Sequence, residues 1–361
     1  MNSKFLILFF ILMPAIGSAG EWSYEIEGEA KVSLGYADTN TKDNYHGIGL
    51  SEINSYVAYD FNDDYSLSLH FDLMGGINKE LQNYNQGRWG EEFYGIFNSP
   101  FGQLMVGQTF NVGAQFFDGV PSLGALSSNS DVVDFISNPN WKRNSKQTKF
   151  ATLNSTYINT DGVAPKISYI SPEFYGSGFG FSYVPKTYNR RGLINKHTSY
   201  KDDAGYVGSI YSSQEFGSLN IDTSLSMANF HHNDKEFSAS LLLGYGNWSL
   251  GGGWRKSYID GKDKQRSQDF RLPEFFDEYR EGSAWDIGLG YKFGPYKTVL
   301  SYFQSKAKNT DNKDQIITFS NQYQLNSNFD IYLASAYVNF KDEYSNTTEG
   351  IALVSGIGFN F

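Results

Sequence analysis

The sequence predicts an all-β chain, a transmembrane antiparallel β-barrel of 16 strands, with 18 as the alternative count. Three observations lead there. Two-residue alternation of apolar and polar side chains recurs along almost the whole chain, while 3.6-residue periodicity is nearly absent. From residue 20 onward no apolar run approaches the roughly 20 residues of a spanning helix, which leaves a soluble chain or a closed barrel. Short turns also alternate with longer polar connections, as in a barrel with one plain rim and one elaborated rim.

Each element follows from its residues. Residues 22–36 place Tyr24, Ile26, Val32 and Leu34 on one face and Glu25, Glu27, Glu29, Lys31 and Ser33 on the other. In 65–73, Leu67, Leu69, Phe71 and Leu73 oppose Ser66, Ser68, His70 and Asp72; in 219–227, Ile221, Leu225 and Met227 oppose Asp222, Ser224 and Ser226. Trp248, Leu250 and Trp254 face away from Ser249 and Arg255, and Trp285, Ile287 and Leu289 away from Asp286. Turns rich in Gly, Pro, Asn and Ser fall at 62–64, 98–100, 172–178, 213–217, 244–247, 293–296 and 325–328. Longer polar connections fall at about 39–46, 76–89, 111–164, 187–202, 230–235, 258–282, 307–312 and 342–348. Seven turns and eight loops make fifteen connections, hence sixteen strands. The third loop is much the longest; a hairpin hidden at 150–162 would raise the count to eighteen. Residues 272–280, with Pro273 near the start and Gly282 past the end, read as one short loop helix.

Composition narrows the class. The chain has 361 residues, no cysteine, 37 glycines, 17% aromatics and a formal charge of −10, with a mean hydropathy of −0.44. Disulfides and thiolate metal sites are excluded, and an acidic excess argues against nucleic acid. The aromatic content argues against disorder. Residues 1–19, with Lys4, an apolar core and small residues before Gly20, read as a cleaved signal peptide. The mature chain, 20–361, then carries 28 basic against 39 acidic residues, a net −11. A soluble sandwich fits poorly, because the face opposite the apolar one is steadily charged and aromatics gather at strand ends, as in a membrane-interface girdle.

Residues 166–174 (KISYISPEF) and 178–183 (GFGFSY), the stretch 102–108 (GQLMVGQ) and the ending 356–361 (GIGFNF) together resemble the general bacterial porins of the Gram-negative outer membrane. The resemblance implies a multi-pass outer-membrane barrel that passes small hydrophilic solutes and ions. It implies a homotrimer embedded in outer-membrane lipid, with a third loop, at about 111–164, folded into the lumen as a constriction. It also implies that the terminal aromatics, Phe359 and Phe361, are read by the barrel-assembly machinery, and that residues 81–88 of the second loop form a trimer latch. In such a constriction acidic loop residues face a basic wall. Here Asp118, Asp131 and Asp134 are the acidic candidates and Lys31, Arg255 and Lys166 the basic ones, whereas Ser168 stands where the family often has a base. The net charge points to weak cation selectivity.

No cofactor, metal site or catalytic motif is expected. His46, His197, His231 and His232 fall in loops and His70 on a lumen face, which builds no triad, and Gly251, Gly252 and Gly253 suit a close backbone approach within a strand. Three rivals to the diffusion channel stay open: a substrate-specific channel, an outer-membrane hydrolase, and a soluble secreted β-protein. The first would need an aromatic track along the lumen; Tyr56, Tyr94, Tyr332 and Phe340 fall on inward faces without forming a visible series.

Overall fold

The computed structural model describes residues 20–40, 44–77, 92–121, 135–136, 138, 140, 152–186, 204–230, 234–258, 281–342 and 347–361. Sixteen strands run in chain order: β1 (Glu21–Thr39), β2 (Asn44–Asn62), β3 (Tyr65–Ile77), β4 (Glu92–Ser99), β5 (Gly102–Gln108), β6 (Pro165–Ile170), β7 (Ser177–Val184) and β8 (Gly205–Phe216), followed by β9 (Leu219–Phe230), β10 (Asp234–Tyr245), β11 (Trp248–Tyr258), β12 (Gly282–Phe293), β13 (Tyr296–Ala307), β14 (Lys313–Gln324), β15 (Phe329–Lys341) and β16 (Thr348–Asn360). Each pairs antiparallel with its chain neighbours, and β1 closes on β16. Closure removes every sheet edge, so the backbone hydrogen bonds are satisfied within the barrel, as hydrocarbon demands.

The count of sixteen settles the sequence alternatives. Residues 152–158 contain no strand, so the hidden hairpin is absent. All seven short turns lie where Gly, Pro, Asn and Ser announced them, although β8 runs on to Phe216 and its turn follows at Gly217, whose φ of 66° suits glycine. The expected helix at 272–280, the latch at 81–88 and the histidines at 197, 231 and 232 lie outside the described residues.

Alternation decides which face meets lipid. In β9, Leu225 and Met227 are each 57% exposed, while Ser224 and Ser226 between and beside them are buried. Outward aromatics gather near the short-turn rim, where Trp248 packs on Tyr291 (4.3 Å between centroids), Tyr296 on Tyr323 (4.6 Å) and Phe329 on Phe359 (4.8 Å). Rings with a polar tip suit that interface. The C-terminal Phe361 lies over Gly28, whose backbone exchanges both hydrogen bonds with it (2.9 and 3.0 Å). A Cβ at Gly28 would sit 2.2 Å from the Phe361 ring, so glycine is what admits the ring against β1.

The inward face corrects a simple picture of apolar residues outside and charges inside. On β12–β16 and the end of β1, the inward side chains include Ala284, Phe303, Ile316, Ala334, Val338, Phe340, Ala352, Val354 and Ala37. They form a buried core with Phe135, Ile136 and Leu153 of the β5–β6 connection. The apolar core of this barrel lies inside it, beneath that connection.

Candidate functional site

The connection between β5 and β6 begins with a single helical turn, α1 (Val112–Gln115), capped by Asn111, whose side chain accepts from the Ala114 amide. Asn111 also donates to Asp161 (2.5 Å) and to the Ile158 carbonyl (3.0 Å), tying the start of the connection to its return. Val112 packs with Ile158, Val207, Ala228 and Phe230 against the inner face of β8 and β9. The chain then crosses the inner face of β11 and β12 on glycines. A Cβ at Gly251 would meet the Gly119 carbonyl at 2.2 Å, at Gly253 the Phe117 ring at 2.2 Å, and at Gly288 Val120 at 2.4 Å. The close approach expected of the glycine run is made by this connection.

The return segment is pinned by charge. The Arg255 side chain, 2% exposed, donates to Glu236 through Nε (3.0 Å) and Nη2 (2.7 Å), and to Ser155 (2.7 Å), Asn159 (2.7 Å) and Thr160 (2.9 Å). Its planar fork suits several fixed acceptors at once. Lys166, fully buried, faces Asp161 at 3.2 Å and donates to the carbonyls of Gly162 (3.0 Å) and Thr109. Thus Arg255 and Lys166 both point inward as the alternation required, but they hold the connection rather than line open solvent. The third basic candidate, Lys31, is accessible and ion-paired with Glu29 at 2.7 Å.

Among the described residues the connection covers the β1–β5 wall only in part, with Phe135 on Gly35 of β1 and Gln115, Phe116 and Asp118 sharing a cavity with the β4–β5 turn region. In those strands Lys31 is the sole Lys or Arg, while Glu25, Glu27, Glu29, Asp60, Asp72 and Glu92 share the inward face. A row of rings crosses the same wall: Tyr56 stacks on His70 (5.4 Å, 25°) and His70 on Tyr94 (4.9 Å, 4°). Alternation missed this row because Tyr56 and Tyr94 are 38 residues apart in sequence and meet only through the β2–β3–β4 register. Each ring turns a face to its neighbour, so mainly edges meet the lumen. Tyr332 is buried against Ser33 (2.6 Å) and Phe340 sits in the inner core, so the four aromatics make no continuous track.

Asp118 is the described member of the acidic loop trio; Asp131 and Asp134 lie outside the described residues. It borders a cavity of about 660 Å³ near the short-turn rim, shared with Gln115, Phe116, Glu173, Tyr211 and Asp222. That lining holds three carboxylates and no Lys or Arg. Tyr211 donates to Glu173 (3.1 Å) and Ser213 to Asp222 (2.6 Å). Partial burial, with the Asp222 charge added, holds the Asp118 carboxyl above its ordinary value.

Arrangement and chemistry agree: sixteen strands enclose more space than side chains can fill, and the described part of the connection occupies some of it. Among solved structures the barrel is similar to Salmonella typhi OmpF, in a complex with daunomycin, with a TM-score of 0.66 at 12% identity over 94% of this chain and 97% of that one. It is similar also to the trimer form of Vibrio cholerae OmpT (0.60, 12%, 95% and 100%) and to Pseudomonas putida OprB (0.61, 9%, 100% and 98%). These identities speak for the fold alone. No curated protein sequence matches the chain. Residues 9–343 match the Gram-negative porin family, and the chain accordingly belongs to it, as an outer-membrane diffusion channel for small hydrophilic solutes.

Proposed function

We propose that this porin is a passive, non-enzymatic channel with a preference for cations, working as a homotrimer after removal of residues 1–19. One observation supports the preference most: the exposed inward face of β1 carries Glu25, Glu27 and Glu29 against a single base, Lys31, which is the sole Lys or Arg of β1–β5. Arg255 and Lys166, the other candidates for a positive wall, are neutralised under the β5–β6 connection by Glu236 and Asp161. A mobile cation in the lumen therefore meets an excess of carboxylates over bases on the wall, and Asp118 with Asp222 near the short-turn end. At a narrow pore such local charges count for more than the total.

The constriction assigned here is Asp118 of the connection opposite the β1–β5 wall, with Arg255 and Lys166 as its scaffold and Lys31 as a partly compensated wall charge. Phe359 and Phe361 serve as the assembly signal, presented to lipid at the closing strand. The trimer form of the V. cholerae neighbour supports the trimeric reading.

Reversal potential across a planar bilayer in a KCl gradient tests the preference. A potential of cation-selective sign is expected, and an anion-selective one refutes the proposal. Closure in three equal steps is the expected mark of the trimer, and the mass of the outer-membrane protein tests cleavage ahead of Gly20.

A further inference from the structure

Three threonines of the return segment, Thr152, Thr156 and Thr160, stand four residues apart, and each donates its hydroxyl to a carboxylate of the barrel wall. Thr156 reaches Asp286 of β12 at 2.8 Å, Thr152 reaches Asp314 of β14, and Thr160 reaches Glu236 of β10. The acceptors lie on alternate strands, in chain order opposite to the donors. We propose that these threonines are positioning residues, three rungs that hold the return segment at a fixed depth in the lumen and so set the cross-section open to solutes.

The repeat fits the geometry of the wall. Strands lie about 4.8 Å apart, so carboxylates on alternate strands need a pitch of about 10 Å. Four residues reach at most about 14 Å, so a spacing of four spans one rung to the next with slack, as expected of a segment that forms no strand. Each carboxylate also has its second oxygen engaged. Asp286 accepts from the Gly253 amide (2.6 Å), Asp314 from Asn140 (2.6 Å), and Glu236 from Arg255 (2.7 Å). With both oxygens directed at protein donors and all three residues buried, these acids are structural. They add little to the charge a passing ion meets, which separates the control of size from the control of charge. Between the rungs, Leu153 and Ile158 enter the two inner apolar clusters, so polar and apolar contacts fix the same depth.

The test replaces Thr152, Thr156 and Thr160 together by valine, which keeps shape and formal charge and removes the three donors, together with the acceptor that Thr160 offers Arg255. Single-channel conductance and current noise in planar bilayers are read together with swelling rates of proteoliposomes in uncharged sugars of increasing size. The expected result is higher or multi-level conductance and admission of sugars the native channel excludes, with native behaviour restored by serine at the same three positions. Native conductance, noise and size cut-off in the valine variant overturn the proposal, as does a serine variant that behaves like valine. Should the triple variant fail to yield a compact, SDS-resistant barrel, Thr156→Val alone removes the central rung. It is expected to raise current noise, and native noise in that folded variant overturns the proposal equally. Uncharged solutes report on size whichever ion the pore prefers, so this outcome is independent of the reversal potential.

Discussion

Replacing Arg255 by methionine tests whether the charge network or the apolar contacts hold the β5–β6 connection. The side chain is 2% exposed, and its partner Glu236 is buried too. Removing the guanidinium leaves a buried carboxylate without its cation, which typically costs about 3–5 kcal/mol. The three loop acceptors, Ser155, Asn159 and Thr160, lose their donor at the same time. Hydrogen bonds to a charged group contribute about 1.5–3 kcal/mol each, but the network acts as a unit and the values do not add. A ceiling exists as well. If the return segment lifts, water reaches Glu236, and the cost cannot exceed the free energy that holds the segment down. Arg255→Met is therefore expected either to lower barrel stability by about 3 kcal/mol or more, or to raise conductance by releasing the connection. Denaturant unfolding in lipid vesicles, followed by tryptophan fluorescence and gel mobility, measures the first outcome, and planar-bilayer recording the second. Adding Glu236→Gln removes the stranded charge and should recover part of the loss. A single variant that loses under about 1 kcal/mol, the value of an exposed pair, and conducts as the native channel does refutes the argument.

The two faces of the barrel should respond oppositely to charge. Leu225→Arg puts a cation into lipid and should cost about 2–4 kcal/mol if near the bilayer midplane, whereas Glu27→Gln should leave stability unchanged and reduce cation preference, as read by reversal potential. Asp118 titrates above the ordinary carboxylate value because it is partly buried beside Asp222. The folded protein thus binds its proton more readily than the unfolded chain, and this group's contribution to stability falls as pH rises between the two values. In the same window acidification removes its charge, so cation preference should drop before ordinary carboxylates titrate, and Asp118→Asn should abolish that part of the pH dependence. Gly253→Val would drive a Cβ into the Phe117 ring, which lies 2.2 Å from that position. It should displace the connection and change conductance, and unaltered conductance would show that the ring moves aside freely.

Much of the barrel was legible in the sequence because lipid imposes a period of two on every strand and turn chemistry marks every short connection. Leu225 against Ser224, or Trp254 against Arg255, is enough to orient a strand. The site was legible only in part. Arg255 and Lys166 could be placed on the inward face, but alternation distinguishes lipid from interior and says nothing about whether the interior is open or covered. Their burial depends on where residues 152–162 run, which is set by contacts with Glu236, Asp286 and Asp314, all more than 70 residues away in sequence. A signal did exist in the fourfold threonine spacing. Without the acceptors on alternate strands, nothing marked it as a ladder rather than an ordinary polar run. The glycines of β11 were the stronger clue, since a strand that gives up side chains on its inner face implies a neighbour close to it.

The polar average of the chain then has a different origin on each side of the lumen. On β12–β16 the inner face carries a cluster of alanine, valine, isoleucine and phenylalanine covered by Phe135, Ile136 and Leu153, set among buried serines and threonines, and Asp286 and Asp314 there serve as anchors. On β1–β5 the described residues cover only part of the wall, with Phe135 on Gly35 and Thr109 bonded to Glu92, and Glu25 and Glu27 lie exposed. An acid placed under the connection must be matched by donors, because burying an unpaired charge is costly, whereas an exposed acid such as Glu27 is hydrated and faces the ions that pass. Net charge alone cannot separate these two populations, since Glu236 and Glu27 count equally in it. The proposed cation preference therefore rests on the distribution of carboxylates between the two walls more than on their number, and neutralising Glu236 should alter the shape of the pore while neutralising Glu27 alters its charge.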